Sequence, residues 1–180
     1  MKIDNQEFHI KGTFYTIRLA VQSDAQSLSE IRLQIDGETQ NLDREKGEAF
    51  MDVYDFEQLI KADTMNKKNL FLVAAIGNKI VGFSRCEGNA LKRFSHKVEF
   101  GVGVLKEYWG YGVGKNLLKE SVAWCDANDV RKITLNVLES NEKAISLYKD
   151  CDFEIEGILK NDKIFVDGKF GNTVVMGRFK

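Results

Sequence analysis

Between residues 108 and 115 the chain reads Tyr108-Trp109-Gly110-Tyr111-Gly112-Val113-Gly114-Lys115. Glycine at every second position lets a backbone turn sharply and leaves its amide N–H groups uncovered. At the start of a helix, where the dipole is positive, such a turn is an anion site, and phosphate is its usual guest. Spacing rejects two phosphate motifs. A Walker loop needs Gly at 109 and Ser or Thr at 116, where Trp109 and Asn116 stand. A Rossmann fingerprint needs Gly at 110, 112 and 115, and Lys115 fills the last place. A pyrophosphate turn of another kind is left, against the plain alternative of a glycine-rich loop with no ligand. Just upstream, Glu99, Gly101 and Gly103 alternate with apolar Val98, Phe100, Val102 and Val104. In a strand the apolar set faces the core and the other face is bare, a groove where a ligand reaches the backbone.

Elements must hold these residues in place. Residues 14–19 read as a strand, after which Asp24 is suited to cap a helix with apolar Leu28, Ile31 and Ile35 at helical spacing. Residues 36–63 are acidic and only partly patterned. Two β-type runs, 70–76 and 80–85, flank Gly77-Asn78-Lys79, the chemistry of a tight hairpin. A strand over 97–105 precedes the glycine turn, and a one-faced helix over 112–125 follows it. Strand 133–138, a short helix over 141–149, and strands 153–159 and 174–179 complete the order. The expected fold is α/β (α+β): a mixed, mostly antiparallel sheet of about seven strands flanked by helices.

Composition narrows the function. The 180 residues suit one globular domain over 1–180, with 43% hydrophobic residues to build its core. A formal charge of -1 supplies no field for nucleic acid or an anionic membrane. Lys2, Asp4, Glu7 and Lys11 break any leader-like apolar run, and the longest apolar stretch, 70–76, is too short to span a bilayer. A cytoplasmic location is therefore expected. Cys86, Cys125 and Cys151 show neither disulfide nor zinc spacing, and His9 and His96 do not pair, so no metal is expected.

The glycine turn, read as Trp109-Gly110-Tyr111-Gly112-Val113-Gly114, resembles the loop Arg/Gln-x-x-Gly-x-Gly/Ala of the GNAT-type N-acetyltransferases. The resemblance continues through Asn136, Asn141, Ala144, Leu147 and Tyr148 and into Phe153-Glu154-Ile155-Glu156-Gly157, so residues 98–160 carry it as an acetyl-CoA-binding core. Two positions depart: Trp109 stands in place of Arg or Gln and removes a side-chain donor, and Asp152 replaces a usual Gly. The resemblance implies acetyl-CoA as co-substrate. Its contacts would be Val102, Gly103 and Val104, which also polarise the acetyl carbonyl, the loop Trp109, Gly110, Tyr111, Gly112, Val113, Gly114 and Lys115, and Asn136, Asn141, Ala144 and Tyr148. Tyr148 would be the general acid for the leaving thiolate, and Glu99 a general base acting through water. Each has a plainer alternative: a packed helix tyrosine, a solvated strand glutamate, and for Asn141 a simple N-cap. Acetyl transfer to a primary amine of a small molecule or protein is the expected activity, and a non-catalytic acyl-CoA-binding module is the alternative. Segment 36–66 would shape the acceptor site, with Phe50, Tyr54 and Phe56 as walls. Its nine acidic against three basic residues over 36–63 suit a cationic amine, or a solvated acidic helix pair. The family also makes a homodimer an expectation, with no residue that fixes an interface.

Overall fold

The computed structural model describes residues 5–180; Lys2 and Asp4 lie outside them. Strands β1 (Gln6–Ile10) and β2 (Thr13–Leu19) form a hairpin, and helices α1 (Ala25–Glu38) and α2 (Val53–Met65) follow. Next come β3 (Leu70–Ile76), β4 (Lys79–Gly88), β5 (Lys97–Val104), α3 (Val113–Ala127), β6 (Lys132–Leu138), α4 (Glu142–Lys149), β7 (Glu154–Ile164) and β8 (Phe170–Phe179). The eight strands make one sheet in the order β1-β2-β3-β4-β5-β6-β8-β7, antiparallel except for β5 beside β6. The extra strand is β1, whose partly exposed residues give little apolar signal.

Helices cover both faces, which is why β3 is a continuous apolar run rather than an alternating one. Leu70, Leu72 and Ala74 join α3 residues Leu117 and Leu118 in one core cluster. Phe71 and Val73 face the other way, onto Leu28, Ile31 and Ile35 of α1 and Phe56 and Ile60 of α2. Asp24 does precede α1, but its carboxylate does not cap that helix. It accepts from the Val21 backbone N–H and from both terminal nitrogens of Arg18, at 2.7 and 2.8 Å. The pair ties the end of β2 to the turn before α1.

The decisive feature is where pairing stops. β4 and β5 stay in register along β5 to Val104, whereas β5 and β6 pair only through Lys97, Val98 and Glu99. Beyond Glu99 the two parallel strands part, and the β6 edge of β5 loses its partner. Unpaired strand edges present N–H and C=O groups to whatever enters the gap. Here the alternation along β5 also changes. Val98 and Phe100 are buried, but Val102 is half-exposed, and a methyl built on Gly103 would sit 3.1 Å from Phe83 and 3.5 Å from Ile35. The glycine face is thus bare at Gly101 and covered at Gly103, because α1 packs over that end of the strand.

Candidate active site

The parted strands open a cleft of about 670 Å³. Glu99, Gly101, Val102, Gly103 and Val104 form one wall and Asn136 and Val137 of β6 the other. Gly110, Gly112, Gly114 and Lys115 close one end, and Asn141, Lys143, Leu147 and Tyr148 descend from α4. Nearly all the residues singled out from sequence therefore share one cleft. Of the expected catalytic and cofactor-binding residues, Tyr111 and Ala144 are the two that do not line it. The Tyr111 ring packs edge-on against Tyr108, and Ala144 offers its N–H to Oδ1 of Asn141 at 3.4 Å.

The glycine loop is built as its spacing predicts. Gly110 and Gly112 have φ of 81° and 75°, a region that favours glycine. Gly112 is the N-cap of α3 and supplies no capping side chain, so the amides of the first turn are left for an acceptor from outside. Trp109 is not such an acceptor's partner: its indole N–H donates to the Val104 carbonyl at 2.9 Å and fastens the loop to the end of β5.

The buttress behind the loop comes from a place the sequence did not advertise. The Tyr15 hydroxyl on β2 accepts from Asn116 in the first turn of α3 at 2.7 Å and donates to the Tyr111 carbonyl at 3.3 Å. A methyl on Gly112 would lie 2.5 Å from Cδ1 of Ile10. The N-terminal hairpin thus presses on the back of the loop.

Tyr148 is 8% exposed, its ring held between Phe100 and Phe153 at centroid distances of 6.4 and 5.8 Å. Burial pushes its phenol up to about 12. The cause is desolvation, which disfavours the phenolate. No described residue hydrogen-bonds the hydroxyl, which leaves it for a ligand in the cleft. Glu99 is exposed, between Glu87 on β4 and Thr134 on β6; Arg85 donates to Glu87 at 2.7 Å. Asn141 caps α4 through its side-chain oxygen and also lines the cleft.

The far end of the cleft is not lined by the aromatic residues expected from sequence. Phe56 is 2% exposed in the core under α1, and Phe50 and Tyr54 point to solvent away from the cleft. The lining instead comes from Thr39, Asn41, Leu42, Asp43 and Arg44 after α1, with Phe83 and Arg85 of β4. These polar loop residues have no periodicity to mark them. Of the nine acidic residues in 36–63 only Asp43 lines the cleft. Asp36 is buried against Arg44 at 3.1 Å, and Asp63 against Arg85 at 2.6 Å. Burial alone would lower the Arg85 guanidinium, but its hydrogen bonds and charge pairing with Asp63 and Glu87 outweigh burial and raise it.

A cleft entered between parted parallel strands, with an uncapped glycine turn at one end, is the setting in which the comparisons with known proteins fall. The acetyltransferase (GNAT) family matches residues 37–153. The chain belongs to the GNAT family. A curated relative, an L-amino acid N-acetyltransferase of Escherichia coli, is 34% identical over 61% of this chain and 67% of its own length. A GNAT acetyltransferase of Streptococcus pneumoniae superposes with a TM-score of 0.89 at 26% identity, covering 92% of this chain and 99% of that one. A phosphinothricin acetyltransferase of Sinorhizobium meliloti, solved with acetyl-CoA, superposes at 0.81 with 22% identity over 92% and 88% of the two chains. The GNAT fold read from residues 98–160 is thereby shown, with eight strands in place of about seven. So is the enzyme class, acyltransferase. No helix among the described residues is long and apolar enough to cross a membrane.

Proposed function

We propose that the chain transfers acetyl from acetyl-CoA directly to a primary amine. The observation that carries this reading is the single cleft, in which the free edge of β5 and the uncapped start of α3 meet. The residues present fit the cofactor. Gly110, Gly112 and Gly114 leave room along the loop, the amides of the α3 first turn suit a pyrophosphate, and Lys115 and Lys143 add positive charge. When bound, acetyl-CoA supplies the acyl thioester. Val102, Gly103 and Val104 offer backbone groups to its pantetheine arm and carbonyl. Glu99 takes a proton from the incoming ammonium, through water.

Tyr148 holds its proton throughout the working pH range. With a phenol near 12, full transfer to a thiolate of ordinary pKa near 8.5 is uphill. Its role is to donate a hydrogen bond to the developing thiolate, worth more from a hydroxyl this deeply buried than from one in solvent. No cysteine lines the cleft, and Cys86 and Cys125 are buried away from it, which favours direct attack over a cysteine-bound intermediate.

The acceptor end carries Arg44 and Arg85 against Asp43 and Glu99. Both arginines are already paired, Arg44 with Asp36 and Arg85 with Asp63 and Glu87, so the acceptor class follows the amino-acid-acetylating relative: an amine that also bears a carboxylate. The test is calorimetric titration with acetyl-CoA, with ATP and NAD as controls, then thiol release with amino acids and polyamines. Saturable binding of acetyl-CoA alone and turnover with carboxylated amines are expected. No binding at millimolar acetyl-CoA would sink the cofactor reading, and turnover confined to polyamines would sink the acceptor class.

A further inference from the structure

We propose that Lys11, at the tip of the β1–β2 hairpin, is a ligand of the pyrophosphate of acetyl-CoA. The proposal rests on the acetyl-CoA reading above. A pyrophosphate brings two negative charges to a loop whose own residues 108–114 include no cation and whose Trp109 N–H is spent on Val104. Lys115 and Lys143 approach from α3 and α4, and nothing within the loop approaches from the Gly110 side. There Lys11 stands. Its ammonium lies 5.6 Å from the centroid of the Tyr111 ring, and a methyl built on Gly110 would be 3.8 Å from Nζ.

The backbone supplies a second, independent observation. Ile10 pairs with Thr13, and Lys11 and Gly12 between them have φ of 51° and 77°. Two positive φ values make the primed two-residue turn of a hairpin, where the first position favours Asn, Asp or Gly. Lysine is an uncommon residue there, and the tight turn it makes sets its ammonium beside Gly110. It is not held by an ion pair, since among the described residues no carboxylate pairs with Lys11. What fixes the tip is Ile10, whose Cδ1 abuts Gly112. The hairpin is thus wedged against the loop with its one tip cation beside Gly110. Lys11 does not line the cleft wall; its flexible stem lets the ammonium turn from Tyr111 toward a phosphate seated on the loop.

The experiment is calorimetric titration of wild type, Lys11→Asn and Lys11→Arg with acetyl-CoA, acetyl-dephospho-CoA and S-acetylpantetheine, with melting temperatures alongside. Lys11→Asn should weaken acetyl-CoA binding by about fivefold to tenfold, the value of one charge-assisted contact partly screened by solvent. The same loss should appear with acetyl-dephospho-CoA, which keeps the pyrophosphate, and vanish with S-acetylpantetheine, which lacks it. Lys11→Arg should bind like wild type. Lys11→Asn should melt no lower than wild type, because Asn suits the turn. Unchanged acetyl-CoA affinity in Lys11→Asn overturns the proposal, as does an equal loss with S-acetylpantetheine or a loss that disappears with the dephospho form. Wild type that fails to bind acetyl-CoA at all overturns the cofactor reading instead, so the two failures are distinct.

Discussion

Tyr148 shows how a residue's surroundings alter the chemistry its type suggests. In the sequence it is a phenol beside Leu147 on a short helix, with nothing to signal how deeply it is buried. Between Phe100 and Phe153 its neutral form is favoured, and the phenol rises to about 12. A linkage follows. The unfolded phenol ionises near 10 and the folded one only near 12, so the folded state holds the proton across that interval. Stability is intact below pH 10 and falls by about 2–3 kcal/mol as pH rises to 12. Urea unfolding at pH 9 and pH 11.5 reads a drop that Tyr148→Phe should lessen by that amount, while the raised Tyr15 and Cys86 keep their own share. An equal drop in the variant would assign the titration to another group. The same variant should lower kcat by about tenfold to a hundredfold, below the full range of acid catalysis because the role is hydrogen-bond donation. Affinity for acetyl-CoA should stay near wild type. Wild-type turnover in Tyr148→Phe would remove Tyr148 from the chemistry.

Elements were legible wherever one face or both faces met a core. The glycine turn, α3 and the β3–β4 hairpin follow from spacing, because their apolar residues all have partners in the two core layers. Within 36–66 the residues that line the cleft were not legible, since 39–44 reaches it by loop geometry and the aromatic residues that stood out serve other ends. Phe56 is one, and Phe56→Ala should cost about 3–5 kcal/mol by opening the layer between α2 and β3 while leaving acetyl-CoA affinity unchanged in the folded fraction. Within the loop, two glycines that look alike in sequence should behave differently. Gly112 combines φ of 75° with Ile10 at 2.5 Å from a new methyl, so Gly112→Ala should destabilise by about 1–2 kcal/mol and lose binding with it. Gly114 is helical and a methyl there meets only Val104, at 3.7 Å. Gly114→Ala should therefore stabilise α3 by up to about 1 kcal/mol and leave acetyl-CoA affinity near wild type, since the resembled motif accepts Ala at that place, a contrast with Gly112→Ala that melting and titration on one preparation would read.

Across the whole molecule, the sheet's two ends meet at the cleft. From one end the β1–β2 hairpin backs the glycine loop; at the other, β7 pairs only with β8 and forms the edge. Lys163 near the end of β7 forms an ion pair with Asp43, which lines the far end of the cleft. Segments 120 residues apart are thus joined at the edge of the cleft, where the proposed amine would enter. Asp43 is 70% exposed, so the pair is a weak tether, worth about 0.2–1 kcal/mol. A tether of that size does little for global stability but suffices to order a loop that lacks secondary structure. Lys163→Ala should therefore leave melting temperature and acetyl-CoA affinity unchanged and raise the KM for the amine by about twofold to fivefold, with kcat little altered. Raising salt should produce a similar change in wild type and almost none in the variant, because the screened contact is already gone. Measuring amine KM for both proteins at low and high salt decides it. Equal salt dependence in the two would separate the β7–β8 arm from the acceptor end and leave 39–44 to shape that end alone.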